Sequence, residues 1–186
     1  MRIISGSRRG ATIFAPKGIA TRPTGDRIRE ATFNLIGPVE DASVLDLFAG
    51  SGAMGLEALS RGAKRAVFVE RDRNACRAIE RNLEKLRLTG ARIVCGDALR
   101  FLATEQTQYD LVLVDPPYQS FSALQTTLAL YLPRVLAGDG LLVVETADEE
   151  RPELPLVERT SRRYGSARIT VFTHPPDPVS PQELAQ

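Results

Sequence analysis

The chain alternates between short apolar runs and longer amphipathic stretches. Val44–Phe48, Ala66–Glu70, Arg92–Cys95, Leu111–Val114 and Leu141–Glu145 are short runs rich in Val, Leu and Ile. Between them, Ala53–Ser60, Arg73–Leu86, Ala98–Ala103 and Phe121–Leu132 read as helices. Strand and helix repeat in units of roughly 25–30 residues, which predicts βαβ crossovers and a parallel sheet covered on both faces. The apolar runs show little alternation, as strands buried on both faces do. After Glu145 the pattern changes. Leu156–Arg163 and Ala167–Phe172 are strand-like and are joined by Tyr164-Gly165-Ser166. That predicts an antiparallel hairpin added to the parallel sheet.

The N-terminus reads differently. Arg2–Ser5 and Ala11–Phe14 are β-prone, and Ser7-Arg8-Arg9-Gly10 between them has turn chemistry, so a small hairpin is expected. Asp26 is placed to cap a helix from Arg27 to Ile36, which Gly37-Pro38 ends. His174 to Gln186 holds four prolines and no periodicity, which predicts a disordered tail. The organisation expected is a basic hairpin extension over 1–24, one α/β domain over 25–173, and the tail over 174–186.

Composition narrows the class. With 186 residues, 43% hydrophobic and 25% charged, the chain can bury an ordinary core without metals or disulfides. Cys76 and Cys95 have no Cys-x-x-Cys partner, so neither zinc nor a disulfide framework is expected, and a reducing compartment fits. No apolar run approaches the ~20 residues that span a bilayer. Met1-Arg2-Ile3-Ile4-Ser5 opens no signal peptide. A cytoplasmic protein without membrane contact is expected. Net charge is +1, yet the first 30 residues carry seven cations against two acids. A basic arm on a mildly acidic body suggests a phosphate-rich partner.

In doubly wound sheets, ligands sit beyond the carboxyl ends of the strands. Asp46, Glu70, Asp97 and Asp115 fall at or just beyond the first four predicted strand ends. Gly50-Ser51-Gly52-Ala53-Met54-Gly55 matches G-x-G-x-x-G, a weak sign of a nucleotide-like ligand. Glu70 can accept from a ribose diol. Asp97 can accept from an adenine amino group, cap the next helix, or do both. Asp115-Pro116-Pro117-Tyr118 carries more weight. Two prolines lock the loop, the Asp115 carboxylate and backbone carbonyls offer acceptors, and Tyr118 offers a flat face. A planar base bearing an NH2 group needs that combination. His174 is the only histidine, which argues against a Ser-His-Asp triad or a histidine metal site, and no Walker A pattern is present.

These residues resemble class I S-adenosylmethionine-dependent methyltransferases of the amino-group type. More closely, the chain resembles the RsmD family, bacterial 16S rRNA guanine-N2 methyltransferases acting on guanine 966. The resemblance rests on Arg2-Ile3-Ile4-Ser5-Gly6 with Arg8-Arg9-Gly10, and on Arg22-Pro23-Thr24 with Asp26-Arg27-Ile28-Arg29-Glu30. Leu45-Asp46-Leu47-Phe48-Ala49-Gly50-Ser51-Gly52, Asp115-Pro116-Pro117-Tyr118 and Tyr164-Gly165 complete it. It implies a Rossmann-like, seven-stranded, mainly parallel sheet whose last strand is antiparallel. It implies S-adenosylmethionine held by Asp46, Phe48, Gly50, Ser51, Gly52, Glu70, Asp97, Ala98 and Asp115, with Arg22 and Thr24 closing over the methionine end. Catalysis falls to Asp115, Pro116 and Tyr118. RNA contacts fall to Arg8, Arg9, Arg22, Arg27, Arg29 and Tyr164. The partner implied is 16S rRNA in the assembled 30S subunit, and a monomer without metal is expected. Three other readings stay open on the residues themselves. They are an adenine-N6 methyltransferase on DNA or RNA, a NAD-dependent oxidoreductase, and a non-catalytic RNA-binding assembly factor.

Overall fold

The computed structural model describes residues 1–15, 24–116 and 121–176. Seven strands form one sheet: β1 (Ser43–Leu47), β2 (Arg65–Glu70), β3 (Ala91–Cys95), β4 (Tyr109–Val114), β5 (Leu136–Ala147), β6 (Val157–Tyr164) and β7 (Ala167–Thr173). Their spatial order is β3-β2-β1-β4-β5-β7-β6. The first five run parallel, and β7 pairs antiparallel with both β5 and β6. The seven-stranded sheet with its closing antiparallel strand is therefore present as expected.

Among the described residues, five helices pack on this sheet: α1 (Thr24–Ile36), α2 (Ala53–Ser60), α3 (Arg73–Leu86), α4 (Ala98–Thr104) and α5 (Phe121–Val135). Successive strand residues point to opposite faces, so the core divides in two. Val44, Ala66, Phe68 and Leu111 pack with Ile28 and Phe33 of α1, Leu56 of α2 and Ile79 of α3. Leu45, Leu47, Val67 and Val112 pack with Phe101 of α4 and Leu128 and Leu132 of α5. Every residue of β1 is buried, which explains its unbroken apolar pattern. The outer strand β3 is largely exposed, and so is β6 at the other edge, because each has a neighbour on one side only.

Several boundaries differ from the sequence reading. The first helix starts at Thr24 rather than Arg27, and Asp26 lies inside its first turn and pairs with Arg29 instead of capping it. The α5 helix runs three residues beyond Leu132, with Pro133 in its last turn. The glycines at 138 and 140 lie inside β5, which begins at Leu136 because that residue pairs with Tyr109 across a register shift.

The N-terminal hairpin is reduced to one bridge, Arg2 with Thr12, and a 3-10 turn over Gly6–Arg8. It is not a free arm. Ile3 and Ile13 are buried in the same core as α1 and α2. Glu57 of α2, wholly inaccessible, accepts the Ile4 and Ser5 amides at 2.8 and 2.9 Å. The same carboxylate pairs with Arg29 at 3.3 Å and Arg61 at 2.8 Å. Arg29 also donates to the Arg2 carbonyl. One carboxylate thus binds the N-terminal segment and α1 to α2.

Removing it leaves the buried Arg29 with only Asp26 and the Arg2 carbonyl, and the Ile4 and Ser5 amides without an acceptor; breaking a buried pair in this way typically costs about 3 kcal/mol or more. Glu57→Ala should lower the unfolding free energy by that amount, read as a urea midpoint shifted down by about 1 M or more at an unchanged m-value. Arg61→Ala should cost much less, because Arg61 keeps access to water. Equal small losses in both variants would rule out this role for Glu57.

Candidate active site

Strand register sets the geometry of the site. Leu47 pairs with Val69 and with Val114, and Glu70 pairs with Cys95. The next residues, Phe48 and Asp115, therefore leave the sheet side by side, level with Glu70 and Cys95. The order also reverses between β1 and β4, so α2 and α5 depart to opposite faces. A crevice opens at such a switch point, and ligands bind there. Gly50–Gly52 forms one wall and Asp115-Pro116 begins the other.

The glycine loop is rigidly built. Phe48, Gly50 and Gly52 have φ of 60°, 56° and 75°, and Gly52 is the N-cap of α2. The amide of Ala49 reaches the Val69 carbonyl at 3.1 Å. Gly55 lies against the sheet, where an added Cβ would come within 2.3 Å of the Phe68 ring. Only glycine allows α2 that close. Above the loop there is room. A Cβ on Gly50 would meet nothing nearer than the Phe48 carbonyl at 3.9 Å, and one on Gly96 nothing within 4 Å.

The four acids have different environments. Asp46 is 3% exposed and accepts the Gly55 amide at 2.9 Å, from beneath the loop. Burial pushes its carboxyl up to about 7; the Gly55 N–H opposes this and the Glu70 charge adds to it. Glu70 accepts the Gly50 amide through one oxygen and the Asp72 amide through the other, each at 2.8 Å. Asp97 is exposed and caps α4 by accepting the Arg100 amide at 3.0 Å, beside buried Ala98. Asp115 is exposed and follows β4 directly, and the Pro116 ring is buried. Asp46 thus supports the loop from inside the protein, Glu70 braces it, and Asp97 and Asp115 face solvent.

The expected RNA-contact residues divide in a similar way. Arg9 and Arg27 are exposed. Arg8 is half-buried and donates to the Arg87 carbonyl at 3.3 Å. Arg29 is 2% exposed and fully engaged with Glu57, Asp26 and the Arg2 carbonyl, so it is corrected from an RNA contact to a structural ion-pair partner. Tyr164 packs half-buried against the core beneath α1 and α2. Arg22 and Tyr118 lie outside the described residues, as does the side chain of Thr24.

Sequence reading missed three groupings here. Glu57 and Asn82 carry no local motif. The two cysteines lack the expected short spacing, yet α3 seats Cys76 against the end of β3, where Cys95 lies, and the two are free thiols with Sγ to Sγ at 2.6 Å. Burial, then the Cys95 thiol, pushes Cys76 up to about 12. Among the described residues, no group of three or more His, Cys, Asp or Glu is placed to hold a metal. A hollow of about 410 Å³ lined by Val39, Asp41, Asp110 and Asp139 lies at the amino ends of β1 and β4, opposite the crevice.

A family model described as conserved hypothetical protein 95 matches residues 1–173. Ribosomal RNA small subunit methyltransferase D of Escherichia coli is 43% identical over 150 residues, 80% of this chain and 76% of that one. The chain belongs to the RsmD family. YlbH of Bacillus subtilis is 41% identical over 182 residues, 92% of this chain and 98% of its own length. Among solved structures, yhhF of Escherichia coli matches with a TM-score of 0.81 at 36% identity, covering 94% of this chain and 97% of that one. The wider fold is that of Rossmann-like methyltransferases. SMU.776, solved with S-adenosylhomocysteine, shares it at 14% identity with a TM-score of 0.64, covering 78% of this chain and 48% of that one. Asp46 and the glycine loop belong to the segment that the RsmD model covers.

The buried acid has a consequence for folding. Between about pH 4 and pH 7, folded Asp46 holds a proton that the unfolded chain releases at 3.8. Its contribution to stability therefore falls as pH rises through that window. Asp46→Asn keeps an acceptor for Gly55 and removes the titration. Relative to wild type, the variant should gain unfolding free energy as pH rises from about 5 to about 8. Parallel pH profiles would contradict the raised carboxyl.

Proposed function

We propose that this protein transfers a methyl group from S-adenosylmethionine to the exocyclic N2 of guanine 966 in 16S rRNA, within the assembled small subunit. The observation that carries the proposal is the register. It brings the glycine loop and Asp115-Pro116 out of neighbouring strands at one level, on the two sides of the switch point. Donor and acceptor loops so placed can hold two ligands in contact, and proximity is a large part of catalysis between bound groups. Membership in the RsmD family supports rRNA as the substrate class.

The residues present fit the methyl donor. Gly50 and Gly96 leave open space above the strand ends. The Glu70 carboxylate keeps further lone pairs for a ribose diol, and Asp97 keeps one oxygen beyond its cap for an adenine amino group. When bound, S-adenosylmethionine supplies an electrophilic methyl on a positively charged sulfur. Asp115 and the Pro116 carbonyl accept the two hydrogens of N2. They draw the nitrogen toward a pyramidal form and free its lone pair from the ring. The new N–C bond then forms as the C–S bond breaks, and the surplus proton leaves N2 on the Asp115 side. A carboxylate there stabilises positive charge as it develops on nitrogen. Tyr118 provides the stacking face for the extruded base.

Asp115→Ala should reduce methyl transfer by roughly 100-fold or more while S-adenosylhomocysteine affinity stays within a few-fold. Undiminished turnover would remove Asp115 from the mechanism. Nucleoside mass spectrometry on small subunits lacking the modification should yield N2-methylguanosine after reaction. N6-methyladenosine would overturn the substrate assignment, and the absence of any methylated nucleoside would overturn the activity.

A further inference from the structure

Asn82 lies near the end of α3 and is completely buried. Its amide is divided between two distant segments. Oδ1 accepts the Phe14 N–H at 2.7 Å, and Nδ2 donates to the Phe14 carbonyl at 3.0 Å and the Ser51 carbonyl at 3.3 Å. Phe14 is where the N-terminal hairpin ends, and Ser51 is the middle of the glycine loop. A buried asparagine needs partners in any fold. Here the partners belong to neither a helix nor the sheet, and they come from the glycine loop and from the end of the basic N-terminal hairpin.

Neighbouring contacts strengthen the same connection. Lys85 of α3 donates to the Thr12 carbonyl and hydroxyl at 2.7 and 2.8 Å. Arg81 and Lys85 lie over the Phe14 ring at 4.5 and 4.7 Å from its centre. The Ser51 hydroxyl reaches the Met1 sulfur at 3.6 Å. The α3 helix therefore joins the hairpin to the glycine loop, beside the Met1–Ser51 contact and the Glu57 link from α2, and Asn82 alone among these residues touches both backbones.

We propose that Asn82 is a positioning residue for methyl transfer, setting the basic N-terminal hairpin in register with the glycine loop so that ordering one orders the other. This rests on the placement of the methyl donor at the glycine loop. Coupling of this kind is reciprocal. A donor that fixes Ser51 fixes the Phe14 segment, and RNA held by the hairpin tightens the loop in return.

Hydrogen exchange of the full chain, with and without S-adenosylhomocysteine, tests the coupling without any RNA. In wild type the ligand should slow exchange over residues 48–55 and also over 10–15, the latter by about 5-fold or more. Asn82→Asp keeps the acceptor for Phe14 and loses both donated bonds, and Asn82→Ala loses all three. Both variants should retain ligand protection at 48–55 and lose it at 10–15. Should neither fold, Phe14→Pro removes the N–H bonded to Oδ1 together with the ring under Arg81 and Lys85 and should weaken the transmitted protection, whereas Phe14→Leu, which removes the ring and keeps the N–H, should preserve it. Transmitted protection that survives in a folded Asn82 variant, or undiminished in Phe14→Pro, overturns the proposal, and so does a wild type protected at 48–55 alone. Absence of protection at 48–55 in wild type would instead overturn the placement of the donor.

Discussion

The buried carboxylate of Glu57 sets the relation between the N-terminal segment and the rest of the molecule. It sits on α2, the helix that begins at the glycine loop. It is satisfied by two backbone amides and two guanidinium groups, drawn from the hairpin, α1 and the C-cap of α2. Taking such a group out of water is costly unless every lone pair finds a donor, and here each oxygen has two. Residues 1–15 and 24–36 are therefore not appended to a finished domain. They complete one face of its core, and their arginines are partly committed to that task.

The fold was largely legible because strands buried on both faces read as unbroken apolar runs. The bounds of α2 and α3 agree with the sequence reading: α2 starts directly after the glycine loop and is buried along six successive residues, and α3 has the Asp72 cap and an amphipathic body. Boundaries slipped where tertiary pairing overrode local signals. The glycines of Leu136–Gly140 suggest a loop, yet the segment is extended because Leu136 meets Tyr109. Asp26 has the chemistry of a cap, yet it is used inside the helix to steady Arg29.

The site was legible in its topology and less so in its division of labour. The four acids expected at or just beyond the strand ends do lie there, inside β1, at the end of β2 and just past β3 and β4. Whether an acid faces solvent or the interior depends on which side of the sheet its residue occupies and on the path of the next loop. Asp46 points under α2 and is buried, while Asp115 emerges one residue past the sheet. Links spanning many residues left no local trace. Glu57 reaches Ile4 across 53 positions, and Asn82 reaches Phe14 across 68. Neither pairing has a spacing that could be read in advance.

Phe48 holds the backbone at φ 60°, in a region where a side chain costs about 1–2 kcal/mol. Glycine there would relax the turn and ease folding. It would also remove the ring that packs against the core on the α4 and α5 face. The turn would then lose the anchor that aims Gly50–Gly52 at the crevice. At this one residue, thermodynamic comfort and aim pull in opposite directions. The chain keeps the strained choice, as evolved sites do when accuracy outweighs a modest loss of stability.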